Sequence, residues 1–477
     1  MSLQNIKRVA IIGAGASGVI ALDAALREQA FDVVRCFERR ERAGGVWLYD
    51  EKPNSRGIPL GVTDPAAIDP PLTAPATLPA YTPPSKQERY HHTPTYSYLE
   101  TNIDAHVMEF SQEPVPDRPS EASIAKYGKS TPFRHHTVMQ QYLEGITKRE
   151  GYEDHIEYNT TVEKAAKEGG EWVLTLRRSG ARLDYWWQER FDAVIVAIGH
   201  YNVPIVPNIP GLVEIEREFP GIVEHTKYYR GRDNYTGQHV VVVGGSVSAM
   251  DTAYDLIGRA SKITSVVRSR PHVYFTDTVF THPQIDRRPE IERIDPKKRD
   301  VYFKDGSVAT GVDRIVLGTG YRYSYPFLEG LRLDDNRVNG LYLHVFSISD
   351  PTLAFVGAIA AGLTFKAFEW QAVLAVRAFA GRAKLPPVEE QRRWETDRIK
   401  ERGNGTKFTL LYPHFAEYFN FVREIAGNDG PGRKLPVFNP KWAEDFNAGH
   451  QLRINWWKQD IERAKSESQA TKPRAHL

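Results

Sequence analysis

The sequence predicts an α/β protein with two Rossmann-like dinucleotide-binding domains, the second inserted into the first. Two glycine-rich turns carry this prediction; they are Gly13-Ala14-Gly15-Ala16-Ser17-Gly18 and Gly244-Gly245-Ser246-Val247-Ser248-Ala249. Each turn follows a short apolar run that is typical of a buried parallel strand. A glycine turn between such a strand and a helix brings the helix N-terminus close to a pyrophosphate. A chain that binds two dinucleotides is most simply interpreted as one that passes electrons between them.

The first turn has the complete strand–turn–helix–strand context of this fingerprint. The predicted elements are a strand over Arg8–Ile12, a helix over Ser17–Gln29 and a strand over Val33–Phe37. Gly13 permits the tight turn, Gly15 the approach of the pyrophosphate, and Gly18 the packing of helix on strand. Glu38 ends the second strand, where a carboxylate accepts hydrogen bonds from ribose hydroxyls and repels a 2′-phosphate. This site is therefore predicted to bind FAD or NAD; the alternative is a tight turn with only a structural role.

The second turn is less regular. Ser246 stands at the second glycine position and Ala249 at the third, where alanine is an accepted variant. The following predicted strand, residues 263–267, ends in Arg268-Ser269-Arg270 and not in an acid. Because a guanidinium can bind a 2′-phosphate through paired hydrogen bonds, we expect NADPH at this site, selected by Arg268 and Arg270. The alternative is a solvated pair of arginines at a strand end.

Proline and strand patterns predict the domain organisation. Residues 52–95 hold ten of the 31 prolines, so this stretch is predicted to be a long loop without regular helix or central strand. Such a loop is either the wall or lid of a site, or a passive surface insertion. We predict a first part of the FAD domain over 1–211 and an NADPH domain over 212–318. Residues 319–477 are expected to complete the FAD domain and to add a C-terminal extension.

Composition and charge exclude several other classes of protein. A net charge of +2 argues against a nucleic-acid partner. Cys36 is the only cysteine, which excludes disulfides, thiolate metal clusters and paired redox cysteines. The polar N-terminus leads directly into the first strand without a signal peptide, and no apolar run approaches the ~20 residues that span a bilayer. We therefore expect a soluble, cytoplasmic protein without a metal or a membrane partner; a homo-oligomer is compatible with the sequence.

Several short segments, in order along the chain, resemble the motifs of the flavin-containing monooxygenases. Residues Phe219–Tyr229 fit the identifying sequence F-x-G-x-x-x-H-x-x-x-Y, whereas the Baeyer–Villiger branch ends this motif in Trp. The other segments are Glu38 with Gly44-Gly45-Val46-Trp47, Tyr98-Leu99-Glu100-Thr101-Asn102, Asp313–Tyr321 with Tyr325-Pro326-Phe327-Leu328, Leu341–Phe346 and Glu369-Trp370-Gln371. The resemblance covers about residues 6–385. It departs at Gly318, where the family has Ala, in the proline-rich stretch and in the C-terminal hundred residues, so it implies no particular substrate.

The resemblance implies an NADPH- and O2-dependent monooxygenase with FAD and NADP(H) as cofactors. In this family NADPH reduces the flavin, and O2 then forms a hydroperoxide at the flavin C4a carbon while NADP⁺ stays bound. A soft nucleophile of a small-molecule substrate, such as an amine nitrogen or a sulfide sulfur, takes the distal oxygen. Carried over to this sequence, Asn102 is expected near the flavin C4a–N5 edge as the catalytic residue. From the residues alone, the alternative is that Asn102 caps the helix that follows it.

The fingerprints and the resemblance together imply a set of cofactor-binding residues. Besides Asn102 they are Gly13, Gly15, Ala16, Ser17, Gly18, Glu38, Gly45, Val46, Trp47, Thr101, Gly244, Ser246, Val247, Ser248, Ala249, Arg268, Arg270, Thr319, Gly320 and Gln371. His225 and Tyr229 belong to the identifying sequence, where the resemblance implies that they link the domains.

Two other functions stay open at this point. One is a Baeyer–Villiger monooxygenase, against which Tyr229 argues. The other belongs to a different class, a non-oxygenating NADPH-dependent flavin reductase or a catalytically silent nucleotide-binding protein.

Overall fold

The structure, a computed structural model, describes residues 3, 5–53, 58–62, 64–87, 89–267, 272–360 and 362–470. The helices are α1 (Ala16–Glu28), α2 (Pro65–Ile68), α3 (Ala105–Met108), α4 (Glu121–Tyr127), α5 (His136–Thr147), α6 (Leu212–Glu218), α7 (Val247–Asp255), α8 (Thr364–Phe379), α9 (Val388–Arg402), α10 (Thr406–Thr409), α11 (Phe415–Ala426) and α12 (Pro440–Ala470). The strands are β1 (Arg8–Ile12), β2 (Val33–Phe37), β3 (Ala80–Thr82), β4 (Ile156–Glu157), β5 (Thr160–Glu168), β6 (Glu171–Arg178), β7 (Asp184–Phe191), β8 (Ala193–Val196), β9 (Val203–Pro204), β10 (Val223–His225), β11 (His239–Val243), β12 (Lys262–Val266), β13 (Ile285–Arg288), β14 (Ile291–Asp295), β15 (Asp300–Phe303), β16 (Val308–Ala309), β17 (Arg314–Leu317), β18 (Tyr321–Arg322), β19 (Leu333–Asp334), β20 (Arg337–Val338), β21 (Leu341–Tyr342), β22 (Phe346–Ser347) and β23 (Leu353–Phe355).

A seven-stranded sheet in the order β21-β22-β23-β8-β1-β2-β4 forms the centre of the first domain. From β23 to β4 neighbouring strands are parallel, and Ile12 at the end of β1 lies level with Phe37 at the end of β2. Successive residues of β1 enter two different cores: Val9 and Ile11 pack under α1 and α8, whereas Ala10 packs on the opposite face. Burial on both faces explains why these strands are continuous apolar runs without polar alternation.

A second sheet has five strands, all parallel, in the order β10-β17-β11-β12-β13. The chain forms this sheet between β8 and β23 of the first sheet, so the second Rossmann-like domain is inserted into the first, as predicted. The segment that leads into the second domain and the segment that leads back to the first lie side by side, because β9 pairs antiparallel with β18. The exact boundaries at 211/212 and 318/319 stay predictions.

The proline-rich stretch is mostly loop but contains two short elements that the sequence did not predict. The four-residue helix α2 begins with Pro65, a position at which the missing N–H would be unpaired in any residue. The strand β3 is an edge strand of the antiparallel sheet β3-β7-β6-β5, where neighbouring prolines are tolerated.

The C-terminal extension packs on both domains. In α11, Phe415 and Phe419 belong to the core that covers α8. In α12, Trp457 enters the core of the second domain beside Phe275, with 5.5 Å between the ring centroids. Among the described residues, no helix combines the length and the apolar character needed to cross a membrane.

Candidate active site

Both glycine turns open into one cavity of about 1670 Å³. The reason lies in the topology, since β1, β2, β8 and β23 end at one edge of the first sheet and β11 and β17 end at one edge of the second. Loops that follow the carboxyl ends of parallel strands form the binding crevice in such sheets. The predicted residues that line the cavity are Gly13, Gly15, Ala16, Ser17, Glu38, Gly45, Val46, Trp47, Asn102, Gly244, Ser246, Val247, Ser248, Thr319 and Gly320.

The first glycine turn is closed by two contacts that leave no room for a side chain. A Cβ atom added to Gly18 would lie 1.8 Å from the carbonyl oxygen of Gly13, and one added to Gly45 would lie 2.7 Å from the Cα of Gly15. Helix α1 begins directly behind this turn, and its N-cap residue, Gly15, makes no side-chain cap. The first N–H groups of α1 therefore face the cavity without a competing side chain, as an anion-binding turn requires.

Glu38 connects this turn with the end of β2. Its carboxylate is 6% exposed and accepts hydrogen bonds from the backbone N–H groups of Ala14, at 2.6 Å, and Arg40, at 2.9 Å. Burial raises the pKa of the Glu38 carboxyl, while the two backbone donors lower it. Glu38 thus lies on the cavity wall and also holds the glycine turn in place.

The segment around Trp47 adds an unpaired donor to the same wall. Gly45–Trp47 form a single 3-10 turn, and the carbonyl oxygen of Val46 accepts a hydrogen bond from the Thr95 hydroxyl at 2.6 Å. The indole Nε1 of Trp47 is buried and has no hydrogen-bond partner in the part of the chain that the structure describes. A buried donor of this kind is costly unless a ligand or water accepts from it.

Asn102 lies on the cavity wall together with the apolar side chains of Leu99, Ile103 and Met108. It does not cap the helix that follows, because Asp104 is the N-cap of α3 and accepts from the N–H of His106 at 2.8 Å. The capping alternative for Asn102 is therefore wrong.

Four predicted residues lie behind the wall and do not face the cavity: Gly18, Thr101, Ala249 and Gln371. The Thr101 hydroxyl accepts from the backbone N–H of Arg134 at 3.1 Å. The Gln371 side chain accepts from the N–H of Gly357 and donates to the Tyr418 hydroxyl, both at 2.9 Å. Thr101 and Gln371 support the wall in this structure, and their direct contact with a cofactor stays a prediction.

The second glycine turn is also closely packed and is also followed by a helix without a side-chain cap, but its residues differ from those of the first turn. A Cβ atom added to Gly318 would lie 2.7 Å from the Cβ of Ala249, so this chain pairs a glycine and an alanine where helix α7 crosses the end of β17. Ser246 is the N-cap residue of α7, but its side chain makes no cap hydrogen bond. Arg268 and Arg270, which are predicted to select NADPH, lie outside the described residues.

His225 and Tyr229 of the identifying sequence are buried beside the cavity. His225 lies within hydrogen-bond distance of the Gly320 carbonyl oxygen through Nε2, at 3.0 Å, and of the Lys227 N–H through Nδ1, at 3.1 Å. Since Nδ1 accepts, Nε2 carries the proton. Burial lowers the pKa of His225 to about 3, so the ring is neutral at pH 7. This geometry supports a linking role rather than proton transfer.

Two further parts of the wall come from regions in which the sequence predicted no individual site residue. The proline-rich stretch contributes Asp69, Arg89, Tyr90, His91, Thr93, Pro94 and Thr95, and the C-terminal extension contributes Thr406, Thr409, Leu410 and His450. Arg230 binds both ends of the proline-rich stretch, because its guanidinium donates to the carbonyl oxygens of Asp50, at 2.7 Å, and Thr93, at 2.9 Å. The passive-insertion alternative does not fit this placement.

Comparison with known proteins places this site in a family. The family described as flavin-binding monooxygenase-like matches residues 6–58 and 283–428, and the pyridine nucleotide-disulphide oxidoreductase family matches residues 117–343. The flavin-containing monooxygenase FMO GS-OX3 of Arabidopsis thaliana is 31% identical over 80% of this chain and 76% of its own length. The chain belongs to the flavin-containing monooxygenase family.

Other relatives extend the likeness over nearly the whole chain of this monooxygenase. The flavin-containing monooxygenase ustF2 of Aspergillus flavus is 27% identical over 94% of this chain and 98% of its own. The structure of S-allyl-L-cysteine S-oxygenase from Allium sativum superposes with a TM-score of 0.75 at 24% identity, covering 97% of this chain and 98% of that one. The superposition on S-allyl-L-cysteine S-oxygenase shows that the two proteins share a fold over almost their whole length.

The family membership makes the protein an FAD-containing monooxygenase that uses NADP(H). The residues present fit both cofactors on structural grounds. The uncapped N-terminus of α1, the tight approach of Gly45 to Gly15 and the unpaired Trp47 indole N–H suit a flavin dinucleotide at the first turn. The uncapped N-terminus of α7 suits a second dinucleotide at the other end of the same cavity.

Proposed function

We propose that this monooxygenase uses NADPH and O2 to oxygenate a soft nucleophile, an amine nitrogen or a sulfide sulfur, of a small molecule. The observation that carries the proposal is that both glycine turns and Asn102 line one cavity. When bound, FAD would take hydride from NADPH and activate O2 at its C4a carbon. The residues of this chain would bind and orient the cofactors and the substrate and would exclude water from the site.

Two groups of residues would hold the cofactors. For FAD we propose the N-terminus of α1 with Gly13 and Gly15, the carboxylate of Glu38, and the turn Gly45–Trp47. For NADP(H) we propose the second turn, Gly244–Ser248, with Thr319 and Gly320. Arg268 and Arg270 are proposed to bind the 2′-phosphate, as the sequence suggests. With the proposed domain limits, 1–211, 212–318 and 319–477, the FAD group lies in the first part of the FAD domain. The NADP(H) group lies in the NADPH domain, apart from Thr319 and Gly320 directly after it.

Asn102 is proposed as the catalytic residue. Its amide lies on the cavity wall, and its side chain has no hydrogen-bond partner within the ranges that the structure describes, so the amide is available to a ligand. Leu99, Ile103, Met108 and Phe365 supply an apolar wall nearby, which favours exclusion of water.

The histidines of the wall do not suggest general acid–base catalysis. Four histidines of the described residues line the cavity. Burial lowers the pKa values of His91, His200 and His450 to about 4 and also lowers the pKa of His272, so the four rings are neutral at pH 7. An oxygen transfer to a soft nucleophile needs a lone pair on the substrate and a dry, oriented site more than it needs a protein base. The neutral rings are compatible with that requirement.

A Baeyer–Villiger reaction is the second candidate. Tyr229 argues against it, because that branch of the family is expected to have Trp at this place. One experiment separates the candidates: the FAD-loaded protein is supplied with NADPH, air and one probe at a time, namely methyl phenyl sulfide, trimethylamine or cyclohexanone. A sulfoxide or an amine oxide supports the proposal, an ester supports the second candidate, and hydrogen peroxide alone supports a flavin reductase.

A further inference from the structure

Two tyrosine hydroxyls share one carboxylate oxygen at the junction of the two domains. The Tyr98 hydroxyl donates to Oδ2 of Asp255 at 2.5 Å, and the Tyr229 hydroxyl donates to the same atom. In the part of the chain that the structure describes, Asp255 forms no ion pair, and these two hydroxyls are the hydrogen-bond donors to its carboxylate. Hydrogen bonds to an ionised carboxylate are shorter and stronger than neutral ones.

The three residues come from three different parts of the molecule. Asp255 is the last residue of α7, the helix that starts at the second glycine turn. Tyr229 ends the identifying sequence, which includes β10. Tyr98 lies in a turn four positions before Asn102, in the segment that contributes Leu99 and Asn102 to the cavity wall. One carboxylate oxygen therefore joins the second nucleotide-binding domain to the segment that carries Asn102.

Aromatic packing makes this junction rigid. Tyr229 is 2% exposed, and the ring of Tyr96 packs edge-on against it with 5.4 Å between the centroids. Tyr96 also packs against Tyr98, at 4.8 Å, and lines the cavity itself. The Tyr98 hydroxyl in addition accepts from the backbone N–H of Arg232 at 2.9 Å. The hydroxyl of Tyr98 is thus held from two sides.

The segment from Tyr98 to Asn102 has a second point of attachment at its other end. The backbone N–H of Thr101 donates to the carbonyl oxygen of Arg134 at 2.8 Å, and the Thr101 hydroxyl accepts from the Arg134 N–H at 3.1 Å. These bonds lie within the first domain. Among the hydrogen bonds that the structure describes for residues 98–102, those of Tyr98 reach the second domain, so they relate the place of Asn102 to that of α7.

We propose that Asp255, through Tyr98 and Tyr229, is a positioning residue that sets the place of Asn102 relative to the second nucleotide-binding domain. The inference rests on the proposed role of Asn102. It also gives Tyr229 a physical reason to be a tyrosine, because the hydroxyl and not the ring makes the contact to Asp255. Loss of either hydroxyl should leave both cofactors bound and loosen only the Asn102 segment.

The test uses the FAD-loaded protein and needs no identified substrate. Three quantities are measured: FAD per protein, the rate and NADPH dependence of flavin reduction without oxygen, and NADPH oxidation in air without substrate together with the hydrogen peroxide formed. We call the last quantity the peroxide leak. The variants are Tyr98→Phe, Tyr229→Phe and Asp255→Asn. The matched control is Tyr81→Phe, since Tyr81 is 68% exposed and lies outside this junction.

We expect Tyr98→Phe and Tyr229→Phe to raise the peroxide leak about threefold or more, a size typical of interactions between neighbouring residues. FAD content and anaerobic reduction should stay as in the wild type, which a general loss of structure would not allow. Tyr81→Phe should change nothing. If Asp255→Asn fails to fold, the two tyrosine variants still decide the matter.

A combination with Asn102→Ala distinguishes this inference from the proposed function. If the tyrosines act through Asn102, Tyr98→Phe should raise the leak in the wild type and add nothing in the Asn102→Ala background. Two results would overturn this inference and leave the proposed function standing. One is that the effects of Tyr98→Phe and Asn102→Ala on the peroxide leak add up. The other is that both tyrosine variants leak no more than the wild type while Asn102→Ala leaks more. An ordinary leak in Asn102→Ala would overturn the proposed role of Asn102 and the inference with it.

Discussion

The imidazole of His225 donates a hydrogen bond from Nε2 to the carbonyl oxygen of Gly320, with 3.0 Å between the two atoms. His225 ends β10, and Gly320 lies where the chain leaves the second domain after β17. The second hydrogen bond of the ring, which Nδ1 accepts from the N–H of Lys227, needs a neutral imidazole. Protonation at Nδ1 would remove that acceptor at a buried position.

This arrangement predicts that acid destabilises the fold. Burial lowers the pKa of His225 to about 3, while an unfolded histidine has a pKa of about 6.5. Below pH 6.5 the unfolded chain binds a proton at this histidine that the folded chain does not bind. The free energy of unfolding therefore decreases as the pH is lowered from 6.5 to about 3. His225 alone should remove about 2 kcal/mol between pH 7 and pH 5.

Urea unfolding at the two pH values measures this loss. His225→Gln keeps an uncharged donor and acceptor, so the variant should lose less stability on acidification than the wild type. The control, His106→Gln at an exposed position, should show the full loss. An identical pH dependence in His225→Gln and the wild type would show that the ring is protonated in the folded protein.

A second prediction concerns the first glycine turn. Gly15→Val should give a folded but colourless protein, since a side chain there points into the narrow gap in front of Gly45, whose Cα would lie 3.4 Å from the new Cβ. The matched control is Gly145→Val in α5, where an added Cβ meets nothing within 4 Å. Flavin absorbance per protein and far-ultraviolet circular dichroism report binding and folding separately. A full flavin spectrum in folded Gly15→Val would place FAD elsewhere.

A third prediction concerns the choice between NADPH and NADH. Replacing Arg268 and Arg270 together by Ala should lower kcat/KM with NADPH roughly ten- to hundredfold, because a charged hydrogen bond contributes about 1.5–3 kcal/mol. The value with NADH should hardly change. Arg259→Ala, at a partly exposed site in the same domain, serves as the control. Equal losses with both nucleotides would show that the pair does not read the 2′-phosphate.

The sequence predicted the parts of this site that depend on local patterns. The strands Arg8–Ile12 and Val33–Phe37 have the predicted bounds, because an apolar run and a glycine turn determine both within a few residues. The alternative that Asn102 caps the following helix was wrong, since Asp104 caps α3, and the two residues are equally good caps by type.

The long-range contacts that complete the wall of the cavity could not be predicted, because they join residues far apart in the sequence. Arg230 reaches the carbonyl oxygen of Thr93, and His450 of α12 reaches the cavity from the C-terminal extension. Neither contact leaves a periodic pattern or a recognisable spacing in the sequence. The same holds for Asp255, whose importance becomes visible only when Tyr98 and Tyr229 are seen on one of its oxygen atoms.

A fourth prediction concerns Asn102. Asn102→Ala should keep FAD and its reduction by NADPH nearly unchanged, because the amide is proposed to act after reduction. It should turn most of the consumed oxygen into hydrogen peroxide, measured against NADPH oxidised in the presence of a sulfide or amine probe. Asn339→Ala is the control, since Asn339 is not among the residues that line the cavity. An unaltered ratio of product to peroxide in Asn102→Ala would remove Asn102 from the reaction.

The central claim, that this cavity carries out oxygen transfer to a soft nucleophile, is tested most directly with labelled oxygen. The FAD-loaded protein is given NADPH, ¹⁸O₂ and either methyl phenyl sulfide or trimethylamine, and the product is analysed by mass spectrometry. We expect one labelled oxygen atom in the sulfoxide or amine oxide for each NADPH oxidised. Complete recovery of the NADPH equivalents as hydrogen peroxide, with no labelled product from either probe, would contradict the claim.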